Sequence, residues 1–495
     1  MSKNNKSIDL LIIKPANPKK IYGKLSTLFS AIEPPVWGGM IAEFIRKKGF
    51  TVKILDMEVE GLEVDEFADK IIKLNPILVA ITVMGANPSA SSTPLMPITT
   101  ELIRFIKRKN VKIKTILTGI HPSALPEQTL KETKTDFIAV GEPFYTIFHL
   151  LKTLKAKRKI NNYLIQGLCY LSQGKAVING WGEIIVNPKE LPSIPWDIIP
   201  PTKYRSHNWQ CLWNLKERTP YAVSYTSLGC PYNCSYCNIH TLYNGKPLIR
   251  FRDPEDIVKE IDFLVKNYKV KTIKFLDELF AINEERVGKI CDLLAQRNYD
   301  LNIWVYGRIN TVNEKMLQKM KKAGIKWIAY GIESANELVR KKVDKFGFGI
   351  EDIKRVIKMT QDAGIYVMGN FIFGLPDDNL ETMQETLHLA EELNCEYVNF
   401  YCTMAYPGSR LYNEAIEKEW ELPKSWLGYA QLSEESLPLP TKYISGREVL
   451  RFRDKAFKEY FSRPEYLSMI QEKFGKKAVL HIKEMLKYPI KRKNL

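Results

Sequence analysis

Apolar residues in the first third of the chain fall in short solid runs, at 10–13, 51–55, 78–83, 114–117 and 137–140. Between them they recur every three or four positions over 38–48, 64–74, 98–109 and 126–132, the period of an amphipathic helix. This βαβ alternation predicts a parallel, doubly wound (Rossmann-like) sheet with helices on both faces, spanning residues 1–155. Ligands of such sheets sit beyond the carboxyl ends of the strands, here the loops 14–23, 84–97 and 118–126. The pattern then breaks. Gly174, Gly180 and Gly182 punctuate short β-prone runs, and Pro188, Pro192, Pro195 and Pro200 prevent regular structure, so residues 156–215 read as a hairpin and linker. From 216 to 430 the alternation returns, with strand runs at 221–228, 272–276, 302–306, 327–331, 367–373 and 397–403. Helical periods separate them at 254–268, 284–297, 314–323, 350–363 and 380–393. Six βα units predict an open, partial (β/α)6 barrel whose chemistry belongs at the carboxyl ends of its strands. Residues 431–495 read as a small, basic helical region. The fold class is α/β.

A chain of 495 residues suits two or three domains, and 45% hydrophobic with 26% charged residues suits folded ones. No run of eighteen apolar residues occurs, so no membrane-spanning helix is expected. The apolar stretch at 10–13 is too short for a signal-peptide core, which points to the cytoplasm. The net charge of +17 is uneven: from Thr441 on there are 15 Lys and Arg against 6 acidic residues. A solvated lysine-rich surface accounts for that stretch, including 487–493, and nucleic acid is not an expected partner.

Eight cysteines in so long a chain make no disulfide framework, but three of them cluster. The segment is Cys230-Pro-Tyr-Asn-Cys234-Ser-Tyr236-Cys237. Three thiolates can hold three irons of a [4Fe–4S] cube and leave the fourth iron open for a cosubstrate. The rival is a structural zinc site, which needs a fourth ligand, and His240 is the residue that could supply it.

A CxxxCxxC segment with an aromatic before its third cysteine, opening six βα units, resembles the radical SAM superfamily over residues 221–413. The resemblance implies cleavage of S-adenosylmethionine (SAM) by a [4Fe–4S] cluster on Cys230, Cys234 and Cys237. It places Tyr236 near the SAM adenine, and Asp277 and Glu278 toward the methionine amino group. This sequence has Asp-Glu where the family more often has Gly-Gly-Glu, so the division of roles between 277 and 278 stays open. The same resemblance places Arg308 at the carboxylate, Glu333 and Ser334 at the ribose, and Gly374 beside the adenine. No residue is singled out as a catalytic acid or base.

A doubly wound domain and a hairpin before such a barrel resemble the cobalamin-dependent members of that superfamily. Pro35-Val-Trp37-Gly38-Gly39 is similar to their first βαβ unit. Asn87-Pro88-Ser89-Ala90-Ser91 falls where those domains present a serine loop to the nucleotide tail, and Gly119 with His121 and Pro122 where a small turn admits it. Glu142 closes the last strand as in the family. The resemblance thus implies cobalamin held by Trp37, Gly38, Asn87, Pro88, Ser89, Ala90, Ser91, Gly119, His121, Pro122 and Glu142. The Asp-x-His-x-x-Gly motif of other cobalamin domains is absent from the first loop, and His121 reads as a turn residue, so binding without an axial histidine is expected.

The implied activity is methylation of an unactivated carbon. A 5′-deoxyadenosyl radical would take a hydrogen atom from the substrate, and methyl would pass from SAM by way of cobalamin. Substrates of this class are small molecules or lipid-like natural products, and the electron would come from a donor such as flavodoxin or ferredoxin. The alternatives are a radical cyclase or rearrangement enzyme without methyl transfer, and a non-catalytic cobalamin carrier or sensor. A tRNA methylthiotransferase would need three more cluster cysteines before residue 155, and the sequence has none there. The aromatics Trp426, Tyr429, Tyr460, Phe461 and Tyr466 read as core more readily than as a cap on the barrel mouth.

Overall fold

A computed structural model describes residues 7–85, 87–156 and 165–495, with the side chains of Pro88 and Ser89 also outside the description. In the first sheet β1 (Leu10–Lys14), β2 (Val52–Asp56), β3 (Leu78–Val83), β4 (Lys114–Gly119) and β5 (Phe137–Ala139) are parallel. Their spatial order is β2-β1-β3-β4-β5, which puts a topological switch between β1 and β3. β1 and β3 are buried along their whole length, as strands covered by helices on both faces must be.

The helix Val36–Lys47 lies close against this sheet because two of its residues lack side chains. A Cβ on Gly38 would stand 3.0 Å from Ile12 Cγ2, and one on Gly39 would stand 2.7 Å from Ile199 Cδ1. The helix is therefore pressed between the sheet and the proline-rich linker.

The hairpin of the joint, β6 (Leu168–Ser172) and β7 (Lys175–Ile178), is no free connector. It adds to β5 in antiparallel register and so extends the first sheet. A three-residue edge strand leaves backbone groups unpaired, and the hairpin covers them.

The second sheet holds six parallel strands in chain order: β8 (Tyr221–Ser224), β11 (Thr272–Phe275), β12 (Asn302–Gly307), β13 (Ile325–Glu333), β14 (Tyr366–Phe373) and β15 (Tyr397–Cys402). This is the open barrel expected from six βα units. One expectation changes: the run 221–228 is two strands. β8 stops at Ser224, and β9 (Ser227–Cys230) leaves the barrel to pair antiparallel with β10 (Leu248–Phe251). Asp277 causes the break by accepting hydrogen bonds from the Thr226 N–H (2.6 Å) and the hydroxyls of Thr226 and Ser227.

Three helices, Gly446–Ser462, Pro464–Phe474 and Lys476–Met485, end the chain. Tyr460, Phe461 and Tyr466 are fully buried, and the two phenols donate to the carbonyls of Cys395 (2.8 Å) and Glu396 (3.2 Å). Both carbonyls precede β15, so these aromatics plug the amino-terminal end of the barrel, away from its mouth. The basic tail is partly spent as well. Arg492 pairs with Asp454 and donates to the carbonyls of Gln431 and Ser433. No helix of the described residues is long and apolar enough to cross a membrane.

Candidate functional site

The cysteine loop leaves the barrel at Gly229, whose φ of +90° and 2.1 Å approach to the Leu248 carbonyl from a would-be Cβ admit only glycine. Its backbone is pinned on two sides. The Ser235 N–H donates to the Val343 carbonyl (3.1 Å), and the Leu411 N–H donates to the Ser235 carbonyl (2.9 Å). Arg410 donates to the Asn233 carbonyl (2.6 Å) and pairs with Asp344. Cys230, Cys234 and Cys237 are in no disulfide and are half-buried. Burial pushes the Cys230 thiol up to about 12, and Cys237, Glu278 and Cys234 add to the shift. Among the described residues no three Cys, His, Asp or Glu side chains converge on one ion. His240 is committed elsewhere, with Nε2 2.7 Å from the Tyr232 carbonyl.

Of the residues expected around SAM, the structure brings four to this loop. Tyr236 donates to Glu333 Oε1 (3.0 Å), which also accepts from buried Lys345 (2.9 Å). Glu333 adopts φ +67°, and Gly331 must be glycine because a Cβ there would stand 2.4 Å from the Glu333 carboxylate. Glu278 accepts from the Gly229 N–H (2.9 Å), and burial raises its carboxyl to about 7. Arg308 lies over the Tyr232 ring at 4.1 Å and donates to Asn310 and the Phe346 carbonyl.

The other three face elsewhere. Asp277 has no exposure and both oxygens are taken by the β8–β9 turn, so it shapes the loop and Glu278 alone faces it. Ser334 is fully buried, 3.2 Å from the Thr386 hydroxyl, where it accepts from Asn336 and anchors the helix Leu380–Leu393. Gly374, at φ +77°, is glycine because Val449 of the carboxyl-terminal region fills the space of a Cβ at 2.5 Å.

The carboxyl ends of β1 and β3 face those of β8 and β11 across a cavity lined by Lys14, Glu33, Trp37, Thr82, Gly85 and Tyr225. Trp37 and Gly38 therefore stand at the switch point, although Gly38 is explained by its packing on Ile12. In the loop after β3, Asn87 accepts from Ala90, and Ser91 donates to the Asn87 carbonyl, so the loop is closed on itself. Gly119, at φ +133°, lets β4 end 2.3 Å from the Val83 carbonyl as seen from a would-be Cβ. His121 and Pro122 follow in the buried short helix Ile120–Ala124. Three buried polar atoms here lack a protein partner, namely Trp37 Nε1, Thr118 Oγ1 and His121 Nε2. Orphaned donors and acceptors beside a glycine turn fit a polar ligand that supplies the missing bonds.

Glu142 is the clearest correction. Its carboxylate is wholly buried and pairs with Arg250 of β10 at 2.8 Å, while accepting from the Ile185 N–H. It joins the two halves, a structural role the sequence did not suggest.

Sequence patterning did not reveal the residues between the two halves. Lys14 donates to the Glu33 carbonyl (2.7 Å), Asp56 (3.1 Å) and Glu58 (3.2 Å). Burial works against its charge, but the two carboxylates outweigh burial and raise its pKa. Glu33 accepts from Tyr221 and Lys274. Tyr22, Tyr306 and Tyr401 are only partly covered, and their hydroxyls have no hydrogen-bond partner among the described residues. Burial raises all three phenols; Glu58, Glu33 and Tyr401 raise Tyr22 further, and Tyr401 and Glu33 do so for Tyr306. Lys14 and Glu33 thus line the cavity between the two halves.

The B12 binding domain model matches residues 28–148, and the radical SAM superfamily model matches residues 224–390. An uncharacterized methyltransferase of Pyrococcus horikoshii is 28% identical over 463 residues, 93% of this chain and 94% of its own length. The anaerobic magnesium-protoporphyrin IX monomethyl ester cyclase of Rubrivivax gelatinosus is 27% identical over 390 residues, 78% of this chain and 67% of the relative. The fold matches that of the radical S-adenosylmethionine methyltransferase TsrM from Kitasatospora setae, solved with cobalamin and a [4Fe–4S] cluster bound. The TM-score is 0.67 at 17% identity, over 91% of this chain and 88% of that one.

Proposed function

We propose that this chain, which joins a B12-binding domain to a radical SAM domain and so belongs to the cobalamin-binding radical SAM enzymes, methylates an unactivated carbon of a small molecule. Its cofactors are a [4Fe–4S] cluster, SAM and cobalamin. The observation that carries the reading is the meeting of two sheets by their carboxyl ends, with the cysteine loop on one side and the β1–β3 switch point on the other. When bound, these groups supply reductive SAM cleavage, hydrogen abstraction and methyl delivery.

The chain's own residues position and enclose. Cys230, Cys234 and Cys237 hold three irons. Glu278, Tyr236, Glu333 and Arg308 ring the open side of that loop, where they can take the amino acid and ribose ends of SAM. Trp37, Gly119 and His121 border the cobalamin side. Tyr22, Tyr306 and Tyr401, whose hydroxyls bond to no described residue, would offer hydrogen bonds to a polar substrate in a chamber between the two halves. The electron would come from an external carrier such as flavodoxin or ferredoxin.

The test needs no substrate. Reconstituted protein with hydroxocobalamin, a reductant and methyl-labelled SAM should release S-adenosylhomocysteine and leave label with the cobalamin. Formation of 5′-deoxyadenosine without any S-adenosylhomocysteine would favour the second reading, a radical cyclase, which the Rubrivivax relative supports. Cobalamin binding with no SAM cleavage would instead leave a carrier or sensor.

A further inference from the structure

Beyond the barrel the chain turns back on the first domain. The one-turn helix Trp426–Tyr429 brings Trp426 Nε1 to Glu132 Oε2 at 2.8 Å, at the end of the helix Pro126–Thr133. The indole meets the His121 ring edge-on, with centroids 4.6 Å apart and planes at 78°. On its other side His121 Nδ1 lies 3.2 Å from the Thr93 hydroxyl, and the His121 backbone N–H donates to Ser92 Oγ (3.0 Å). Ser92 in turn donates to the Val83 carbonyl, tying the ends of β3 and β4. The imidazole is thus held by the indole and by Thr93, with its backbone anchored by Ser92, yet Nε2 is fully buried and unpartnered, as is Thr118 Oγ1. A buried polar atom left unpartnered at a strand end where ligands of such sheets sit is one a ligand can complete. Burial alone pushes the His121 pKa down to about 3, so the ring stays neutral, as a hydrogen-bonding partner for an uncharged polar group should be.

We propose that Trp426, contributed by the radical SAM half, is a positioning residue for the nucleotide tail of cobalamin, acting by fixing the His121 ring so that Nε2 meets a polar group of that tail. The inference rests on the cobalamin reading above. It also makes tail binding sense the docking of the two halves, because the strap that fixes His121 starts in the other domain.

The test compares two probes on the full chain, hydroxocobalamin and cobinamide, which keeps the corrin ring but lacks the nucleotide. Spectral titration of the Trp426→Ala variant should show hydroxocobalamin affinity reduced about tenfold or more and cobinamide affinity unchanged. Trp426→Phe, which keeps a ring edge but loses the Glu132 bond, should recover most of the loss. A purely structural role would weaken both probes alike, and that result overturns the proposal, as does wild-type affinity for both. Should Trp426→Ala not fold, Trp426→Leu, which keeps apolar bulk without a ring edge, carries the same comparison. Wild-type protein that binds neither probe would remove the cobalamin reading itself, a failure separate from the first.

Discussion

Glu142 and Arg250 form an ion pair at 2.8 Å with side chains 0% and 5% exposed, joining the end of the first sheet to the hairpin partner of Cys230. Register puts Leu248 opposite Cys230 and Arg250 opposite Leu228, so Arg250 sits two hairpin pairs from Cys230. Truncating one member of a buried pair strands the other charge in a poor solvent, at about 3–5 kcal/mol. Glu142→Ala should therefore lower the unfolding free energy by that much and reduce cluster occupancy after reconstitution. The double variant Glu142→Leu/Arg250→Met should regain much of the stability, since apolar replacements satisfy the site without a charge. Denaturant titration and iron analysis of the three proteins check both statements.

The cysteines divide into two sets with opposite expectations. Cys230, Cys234 and Cys237 line a half-buried loop, whereas Cys291 and Cys395 are enclosed by apolar neighbours. Alanine at any of the first three should abolish the iron–sulfur absorbance and all 5′-deoxyadenosine formation. Cys291→Ala should leave iron content at the wild-type level. Equal iron in Cys234→Ala and wild type would count against the cluster assignment.

Both sheets were legible in the sequence because buried parallel strands read as solid apolar runs and their helices as a 3.6-residue period. The cluster loop was legible because its chemistry demands fixed cysteine spacing. Long-range polar partnerships were not. Glu142 follows a strand and looks like a ligand-loop residue, and nothing in the local pattern reveals Arg250, 108 positions away. Asp277 and Glu278 are adjacent and alike, and only the turn at Thr226 decides which of them is consumed by the fold. Ser334 and Gly374 stand at strand ends as motif residues do, yet Thr386 and Val449 claim them. The chamber residues Glu33, Tyr306 and Tyr401 come from three distant segments with no shared spacing.

Tyr306 and Tyr401 separate stability from function. Their hydroxyls bond to no described residue, so removing them strands no partner. Tyr306→Phe and Tyr401→Phe should keep the unfolding free energy within about 0.5 kcal/mol of wild type. If the chamber receives substrate, the same variants should form less methylated product per 5′-deoxyadenosine released. A large loss of stability instead would show that the hydroxyls are structural.

His121 gives the protein an acid limb whose sign is fixed by burial. Its pKa is lowered from 6.5 to about 3 in the folded chain, while an unfolded chain protonates it normally. Below pH 6.5 the unfolded state therefore binds the extra proton and is favoured, so the stability this residue contributes is present above pH 6.5 and lost as pH falls toward 3. Between pH 7.5 and 5.5 the loss amounts to about 1 kcal/mol. His207 is lowered to about 3 as well, by burial and then by Lys274 and Arg218, so wild type should lose more than one histidine's share. His121→Gln removes only its own part: its drop in unfolding free energy over that interval should be about 1 kcal/mol smaller than wild type's. Denaturant midpoints at the two pH values measure the difference, and parallel slopes for the two proteins would mean that His121 is solvated or charged in the folded state.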